Sequence, residues 1–327
     1  MFRNPQSKRY SEFRNPQSAI RMQRYLLSRL FQSVLVLLGV FVLVFFMVRV
    51  TGDPASLMMP REASPQDIEA FRHKMGFDRP LIAQFLDFLG GAVVGDFGNS
   101  LHYKTPALPL ILERLPATVE LATAALLLAV CVAVPLGLIG GSRPGSLWDT
   151  IGRAVGLFGQ SVPNFWLALV LIIFFAVRLR WFPSFGRDEP KSVVLPAVAL
   201  GVFTLGQLVR LTRSAVLEIR GEDYIRTARS KGLAPRVIYI KHVLRNAGIA
   251  LVSVIGVQFG YMLGGSIYIE TIFAWPGLGR LAADSIGVRD FPMVQAIAVF
   301  TSLVVVALNL LTDVAYALID PRIRYGD

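Results

Sequence analysis

The residues with the strongest chemical character lie between Ser214 and Ala247 (SAVLEIRGEDYIRTARSKGLAPRVIYIKHVLRNA), a strongly basic stretch between two long apolar runs. Bond-making chemistry has little support in the chain. His73, His102 and His242 all fall in polar segments outside the apolar runs, two on one side and one on the other in the topology below, and cannot form one site. The single cysteine, Cys131, lies inside an apolar run, which excludes an intrachain disulfide or a cysteine-based metal cluster. An enzyme embedded in a membrane would need paired acids, a histidine cluster or a Ser/His arrangement at membrane depth. A channel would want repeated filter-like loops or rings of charge. Neither pattern is present, so no catalytic residue and no metal site is assigned.

The basic stretch suits docking. Leu217, Gly221, Tyr224, Ile225 and Ala228 fall on one helical face, with Arg and Glu opposite. Gly232 fits a helix C-terminal position that needs positive φ. Pro235 fits the start of a second helix, whose Val237, Ile240, Leu244 and Ala247 make another apolar stripe. The spacing therefore predicts two amphipathic helices joined by an exposed turn at Lys231–Ala234. Such a hairpin could seat in a partner's groove or lie on anionic lipid, and periodicity alone leaves both open.

The elements that carry this hairpin are apolar. Of 327 residues 54% are hydrophobic and 17% charged, against about 25% charged in soluble domains, and the charges cluster between apolar runs. Six crossings follow, at about 30–48, 118–139, 154–177, 193–211, 248–273 and 294–319, each long enough for a roughly 30 Å hydrocarbon core. The first is a retained helix rather than a signal peptide, because Arg49-Val-Thr-Gly-Asp-Pro follows it instead of a small-residue cleavage site. Gly260, Gly264 and Gly265 would let helices approach closely. The expected fold is an all-α integral membrane protein with both termini inside: the segments then facing the cytoplasm hold 20 Lys/Arg against 7 acids. The net charge of +11 reflects that bias, not nucleic-acid binding. The divisions are a tail at 1–29, a first helix at 30–48 and an extracytoplasmic cap at 49–115. A core at 116–319 contains the 214–247 loop, and a tail at 320–327 closes the chain. Ser64, Pro65 and Asp67 mark a helix start inside the cap. The hexapeptide FRNPQS, at 2–7 and 13–18, is too short a duplication to build a repeat fold. Glu120, Arg210, Glu270 and Asp313 lie within or near the crossings, either lining a polar pathway or sitting at the interface.

The segment 223–233 (DYIRTARSKGL), followed by Leu244-Arg-Asn-Ala, resembles the cytoplasmic coupling motif of ABC importer permeases in the dipeptide/oligopeptide/nickel branch. The likeness extends to GDP at 52–54, GFDRPL at 76–81, GDFGNSL at 95–101 and ERLPATVEL at 113–121. It continues with SVPNFW at 161–166, FAWPGLG at 273–279 and DPRIR at 320–324. Ala228 and Gly232 keep the generic motif, whereas Arg226 stands where that motif carries Glu and Arg245 where it ends in Pro.

The resemblance implies a permease of the bacterial cytoplasmic (inner) membrane that moves short peptides by alternating access. Its partners would be a second, homologous permease, two cytoplasmic ABC ATPase subunits and an extracytoplasmic substrate-binding protein. ATP and Mg would belong to the ATPase subunits, with no cofactor in this chain, which shows no G-x-x-x-x-G-K-[ST] phosphate loop. The residues expected to couple to the ATPases are Asp223, Tyr224, Arg226, Thr227, Ala228, Lys231, Gly232, Leu233 and Pro235. Asn164, Gln258, Tyr261 and Ser266 are candidate polar liners of the pathway, or else hydrogen bonds between helices. Peptides are favoured over nickel because the membrane segments hold no His and one Cys. Glutathione or another small solute is the alternative cargo.

Overall fold

The structure, a computed structural model, describes residues 16–50, 52–60, 62–234 and 237–319; within these, the side chains of 16–26, 240–242, 245, 249–250 and 315–319 are outside the description. Pro235, most of the N-terminal duplication and the closing DPRIR lie outside the described residues.

Among the described residues the chain is helical apart from one isolated β-bridge, between Asn99 and Pro106. Helix α1 (Pro16–Val50) starts well before the apolar run, so residues expected in the tail are helical from Pro16, which suits the first helical position. Three short helices follow: α2 (Pro54–Met58), α3 (Pro65–Met75) and α4 (Leu81–Val93). The start of α3 carries a complete capping box, with Ser64 Oγ accepting from the Asp67 N–H and the Asp67 carboxylate accepting from the Ser64 N–H. The Arg72 guanidinium donates to Asp53 at 3.0 Å and ties α3 to the start of α2. Partial burial of Asp53 opposes ionisation, yet the Arg72 and backbone hydrogen bonds prevail and hold its carboxyl below the usual range. This tie is intact at neutral pH and is lost only as the pH falls through that lowered value.

The body consists of α5 (Ala107–Ser142), α6 (Leu147–Ser161), α7 (Asn164–Leu171, continuing as a π-turn to Arg178), α8 (Val194–Arg220), α10 (Leu244–Gly265) and α13 (Phe291–Ile319). Among the described residues five helices are long and apolar enough to cross a membrane, and a sixth span forms if α6 and α7 count as one. That pair is bent by 105°, where the sequence predicts one crossing at 154–177. The break sits at Val162-Pro163, since a residue before proline is pushed to extended backbone, and Val162 has φ −90° and ψ 123°. The crossing expected at 118–139 begins at Ala107, and the one expected at 248–273 is interrupted after Gly265.

Every fourth residue of α5 from Ala117 to Gly141 is buried, and all but Leu121 are Ala or Gly. This stripe meets α8 at backbone distance: a Cβ on Gly201 would lie 2.7 Å from the Ala125 carbonyl oxygen, and one on Gly137 2.8 Å from that of Val209. Gly260, Gly264 and Gly265 are not the tight positions; a Cβ on Gly260 would meet only ordinary contacts at 3.6 Å or more, and one on Gly264 none within 4 Å. Gly201→Ala should therefore destabilise the chain by about 1–3 kcal/mol through overpacking, read as a lower melting temperature in detergent, while Gly264→Ala leaves it unchanged.

The two ends of the bundle differ. At one end α4 packs on α1, and the loop after it is tied to the core through Asp290, which is 1% exposed. Its carboxylate accepts from the Ser100 hydroxyl, the Leu101 and His102 N–H groups, and the Met293 N–H at the start of α13. At the other end the chain projects between α8 and α10.

Candidate functional site

The projecting segment is built differently from two simple helices. Helix α8 runs on to Arg220 and stops at Gly221 and Glu222, whose extended backbone starts α9 (Asp223–Ser230). Leu217 thus belongs to another helix than Tyr224, Ile225 and Ala228. Ile225 and Ala228 are buried while Tyr224 stays exposed. After the turn, Ile238–Val243 is a π-turn. Its wider repeat puts residues five apart on one side, so Ile238 and Val243 are buried with Ala247, and Val237 is exposed. The side chain of Ile240 lies outside the described residues. The predicted stripe shifts accordingly, and Val216, Ile225, Ala228, Ile238 and Val243 form one cluster that touches Leu138 of α5.

Gly232 has φ +74°. Its N–H donates to the Arg229 carbonyl and the Leu233 N–H to the Ala228 carbonyl, the paired bonds of a Schellman end. Among the described residues no neighbour lies within 4 Å of a Cβ built on Gly232, so the tip stands free of them. Asp223, Tyr224, Arg226, Thr227, Lys231, Gly232 and Leu233 are all exposed, and Ala228 alone of the described residues expected to couple turns inward. Arg226 lies 3.6 Å from the Asp223 carboxylate. The Thr227 hydroxyl donates to the Asp223 carbonyl and is satisfied within its own helix.

Two polar contacts fix this segment to the body, and a third braces α8, from which it leaves, against α6. Asn246 Nδ2 donates to the Tyr224 hydroxyl at 2.9 Å, joining α9 to α10. The Tyr239 hydroxyl donates to the Ser142 carbonyl at 3.4 Å, at the end of α5. Arg213 of α8 donates through two nitrogens to Asp149, which is 2% exposed and sits in the first turn of α6. Asn246 stands inside the quoted LRNA, whereas nothing in the local pattern marks Asp149 or Tyr239.

The polar residues chosen inside the body separate into two groups. Asn164 and Tyr261 line a cavity of about 300 Å³ with Phe165, Phe203, Thr204 and Tyr268. Gln258 is buried behind it, hydrogen-bonded to Thr204 and Gln207. Ser266 is fully buried and does not line the cavity; its hydroxyl donates to Glu270 at 2.8 Å. The charges near the crossings have partners too: Glu120 pairs with Arg187, Asp313 with Arg29 at 3.4 Å, and Glu270 is wholly buried. Among the described residues no group of three or more His, Cys, Asp or Glu could hold a metal ion.

A multi-span helical bundle with a small helical cap at one end and a stiff, exposed polar hairpin at the other is the build of a membrane transport subunit worked from outside itself. Residues 133–325 match the family model described as "Binding-protein-dependent transport system inner membrane component" and residues 22–122 its N-terminal companion. The chain belongs to this family, the ABC importer permeases of the peptide/nickel group. It is 39% identical over 316 residues to the oligopeptide transport system permease protein AppB of Bacillus subtilis (strain 168), covering 93% of this chain and 100% of that one. The glutathione transport system permease protein GsiC of Escherichia coli (strain K12) is 40% identical over 305 residues, with 93% and 100% covered. A putative peptide transport system permease protein of Brucella abortus (strain 2308), BAB2_1050, is 40% identical over 313 residues at the same coverage. In fold, the chain is similar to a chain of the MetNI methionine ABC transporter in an inward-facing conformation, with a TM-score of 0.52, 20% identity, and 64% of this chain and 96% of that chain covered. The protein is an inner-membrane permease that works with ATPase and substrate-binding partners, and nucleotide binding belongs to the ATPase partners.

Proposed function

We propose that this permease carries short peptides across the cytoplasmic membrane, driven through the hairpin at 223–235. In this reading the hairpin end faces the cytoplasm, as the Lys/Arg excess of its segments favours, and the cap of α2–α4 faces outward. Two ATPase subunits would grip the exposed face of Asp223, Tyr224, Arg226, Thr227, Lys231, Gly232 and Leu233, with Ala228 packed beneath it. ATP and Mg would bind in those subunits. A second, homologous permease would complete the pathway, and a binding protein would deliver the peptide from outside.

The observation that carries the reading is the hairpin's construction: a free-standing tip on a Schellman turn, over an apolar base locked to α5, α8 and α10. A lever must be stiff at its root and exposed at its end, and a helix pair lying on lipid needs neither the turn nor the locks. Peptide cargo follows from the relatives, whose names specify oligopeptides, peptides and glutathione, itself a tripeptide. The cavity suits such cargo, because Asn164, Thr204, Tyr261 and Tyr268 offer neutral hydrogen-bonding groups beside aromatic walls.

The test is uptake by the complete complex, reconstituted with its neighbouring-gene partners in proteoliposomes. ATP-dependent accumulation of radiolabelled di- to pentapeptides is expected, with glutathione and Ni²⁺ as competitors. Transport of Ni²⁺ with no peptide uptake would replace the cargo and leave the machine intact.

A further inference from the structure

Glu270 is the acid that coupling through the hairpin does not use, yet it is the most enclosed charge among the described residues, at 0% exposure. It sits in α11 (Ile267–Ile272), after the interruption of the fifth span and before α12 (Leu278–Gly287). One carboxylate oxygen accepts from the Thr118 hydroxyl of α5 and from the Ser266 hydroxyl, each at 2.8 Å. The other accepts from the Arg280 N–H at 3.0 Å, within the first turn of α12, where a helix N-terminus favours negative charge. The Thr118 oxygen in turn accepts from the Leu278 N–H at 2.8 Å. Beside it the Trp275 indole N–H donates to the Ala117 carbonyl at 2.8 Å. Gly277 and Gly279 press on the carboxylate so closely that a Cβ on Gly279 would lie 3.0 Å from it. Three chain segments converge on this one carboxylate.

Two further facts give the arrangement a direction. The residues just before Glu270, Tyr268 and Ile269, are walls of the 300 Å³ cavity. The helix that Glu270 grips, α5, is 36 residues long, about 54 Å at about 1.5 Å per residue. Its far end accepts the Tyr239 hydroxyl and packs Leu138 into the base of the hairpin.

We propose that Glu270 is a positioning residue for transport: it fastens the outer wall of the cavity to α5, so that movement of the hairpin reaches that wall along one rod. The proposal rests on the transport reading above. A structure-only role would lower the amount of folded protein; a fastening role changes how much cargo moves per ATP. Glutamine is the informative substitution: it removes the charge, and its NH₂ group either meets the Arg280 N–H, donor against donor, or faces the Thr118 and Ser266 hydroxyls, which then lose the acceptor they donate to.

The experiment measures peptide taken up per ATP hydrolysed, at equal amounts of assembled complex in proteoliposomes, for wild type, Glu270→Gln, Thr118→Val and Thr118→Ser. Glu270→Gln and Thr118→Val are expected to lower the ratio by about tenfold, the scale of one lost charge-assisted hydrogen bond, with ATP hydrolysis continuing. Thr118→Ser, which keeps the hydroxyl, is expected to match wild type. If Glu270→Gln does not assemble, the Thr118 pair decides by the same ratio. An unchanged ratio in the variants of a working complex overturns the role of Glu270 alone; a wild-type complex with no ATP-dependent uptake overturns the transport reading and this role with it.

Discussion

Replacing Gly232 with valine is expected to cut ATP-dependent uptake by at least about tenfold while the chain still reaches the membrane in normal amount. The residue holds φ +74°, a conformation that costs about 1–2 kcal/mol for a residue with a Cβ and more for a β-branched one. That strain would open the paired hydrogen bonds from Gly232 and Leu233 to α9 and turn Lys231 and Leu233 away from their present directions. Among the described residues nothing stands within 4 Å of the new Cβ, so no core contact is disturbed and the loss would be one of coupling. Gly232→Asn, which tolerates the left-handed conformation, should retain most of the uptake. Immunoblots of membranes alongside the uptake assay separate the two effects. Normal uptake by the valine variant would remove the hairpin from the mechanism.

The largest effect on stability is expected from Asp290→Ala. This carboxylate is 1% exposed and accepts from four donors, one hydroxyl and three backbone N–H groups. Alanine would strand the Ser100 hydroxyl and the Met293 N–H, whose bonds are buried, and release the half-buried Leu101 and His102 N–H groups. A loss of about 3–5 kcal/mol follows, since each unmet buried donor costs about 1–3 kcal/mol. The segment around 95–106 holds the cap to the core through this residue, so it should become the first site of proteolysis in the purified variant. Asp290→Asn, which keeps one acceptor oxygen, should fall between. A melting curve in detergent orders the three proteins, and an alanine variant as stable as wild type would show that the cap is held by other means.

Much of the hairpin was legible in the sequence because its signals are local. Gly232 announces positive φ at a helix end, the charged and polar residues from Asp223 to Leu233 announce an exposed face, and both appear so in the structure. Ser64 with Pro65 and Asp67 likewise marks a helix start through bonds that span three residues. What depended on distant partners was not legible. Periodicity at 3.6 residues per turn selected Val237, but the π-turn over Ile238–Val243 shifts the buried set by its own wider repeat. Ser266 read as either a pathway liner or a hydrogen bond between helices, because nothing local chooses between them; its hydroxyl bonds Glu270, four residues on, which Thr118 of α5 also reaches. The bend at Val162-Pro163 was written in a dipeptide, yet proline is common enough in membrane helices that the dipeptide alone does not separate a break from a kink.

The central claim, that separate ATPases work this permease through the tip at Lys231–Leu233, is tested most directly by cross-linking. In a Cys131→Ser background, a Lys231→Cys variant leaves one thiol at the exposed tip. Treated with a short thiol–thiol cross-linker in the assembled complex, this chain is expected to join an ATPase subunit carrying a matching surface cysteine, in a yield that changes between nucleotide-free and ATP-bound states. A tip that cross-links to no ATPase subunit in either state, or that is labelled by an impermeant thiol reagent from outside intact cells, would contradict it.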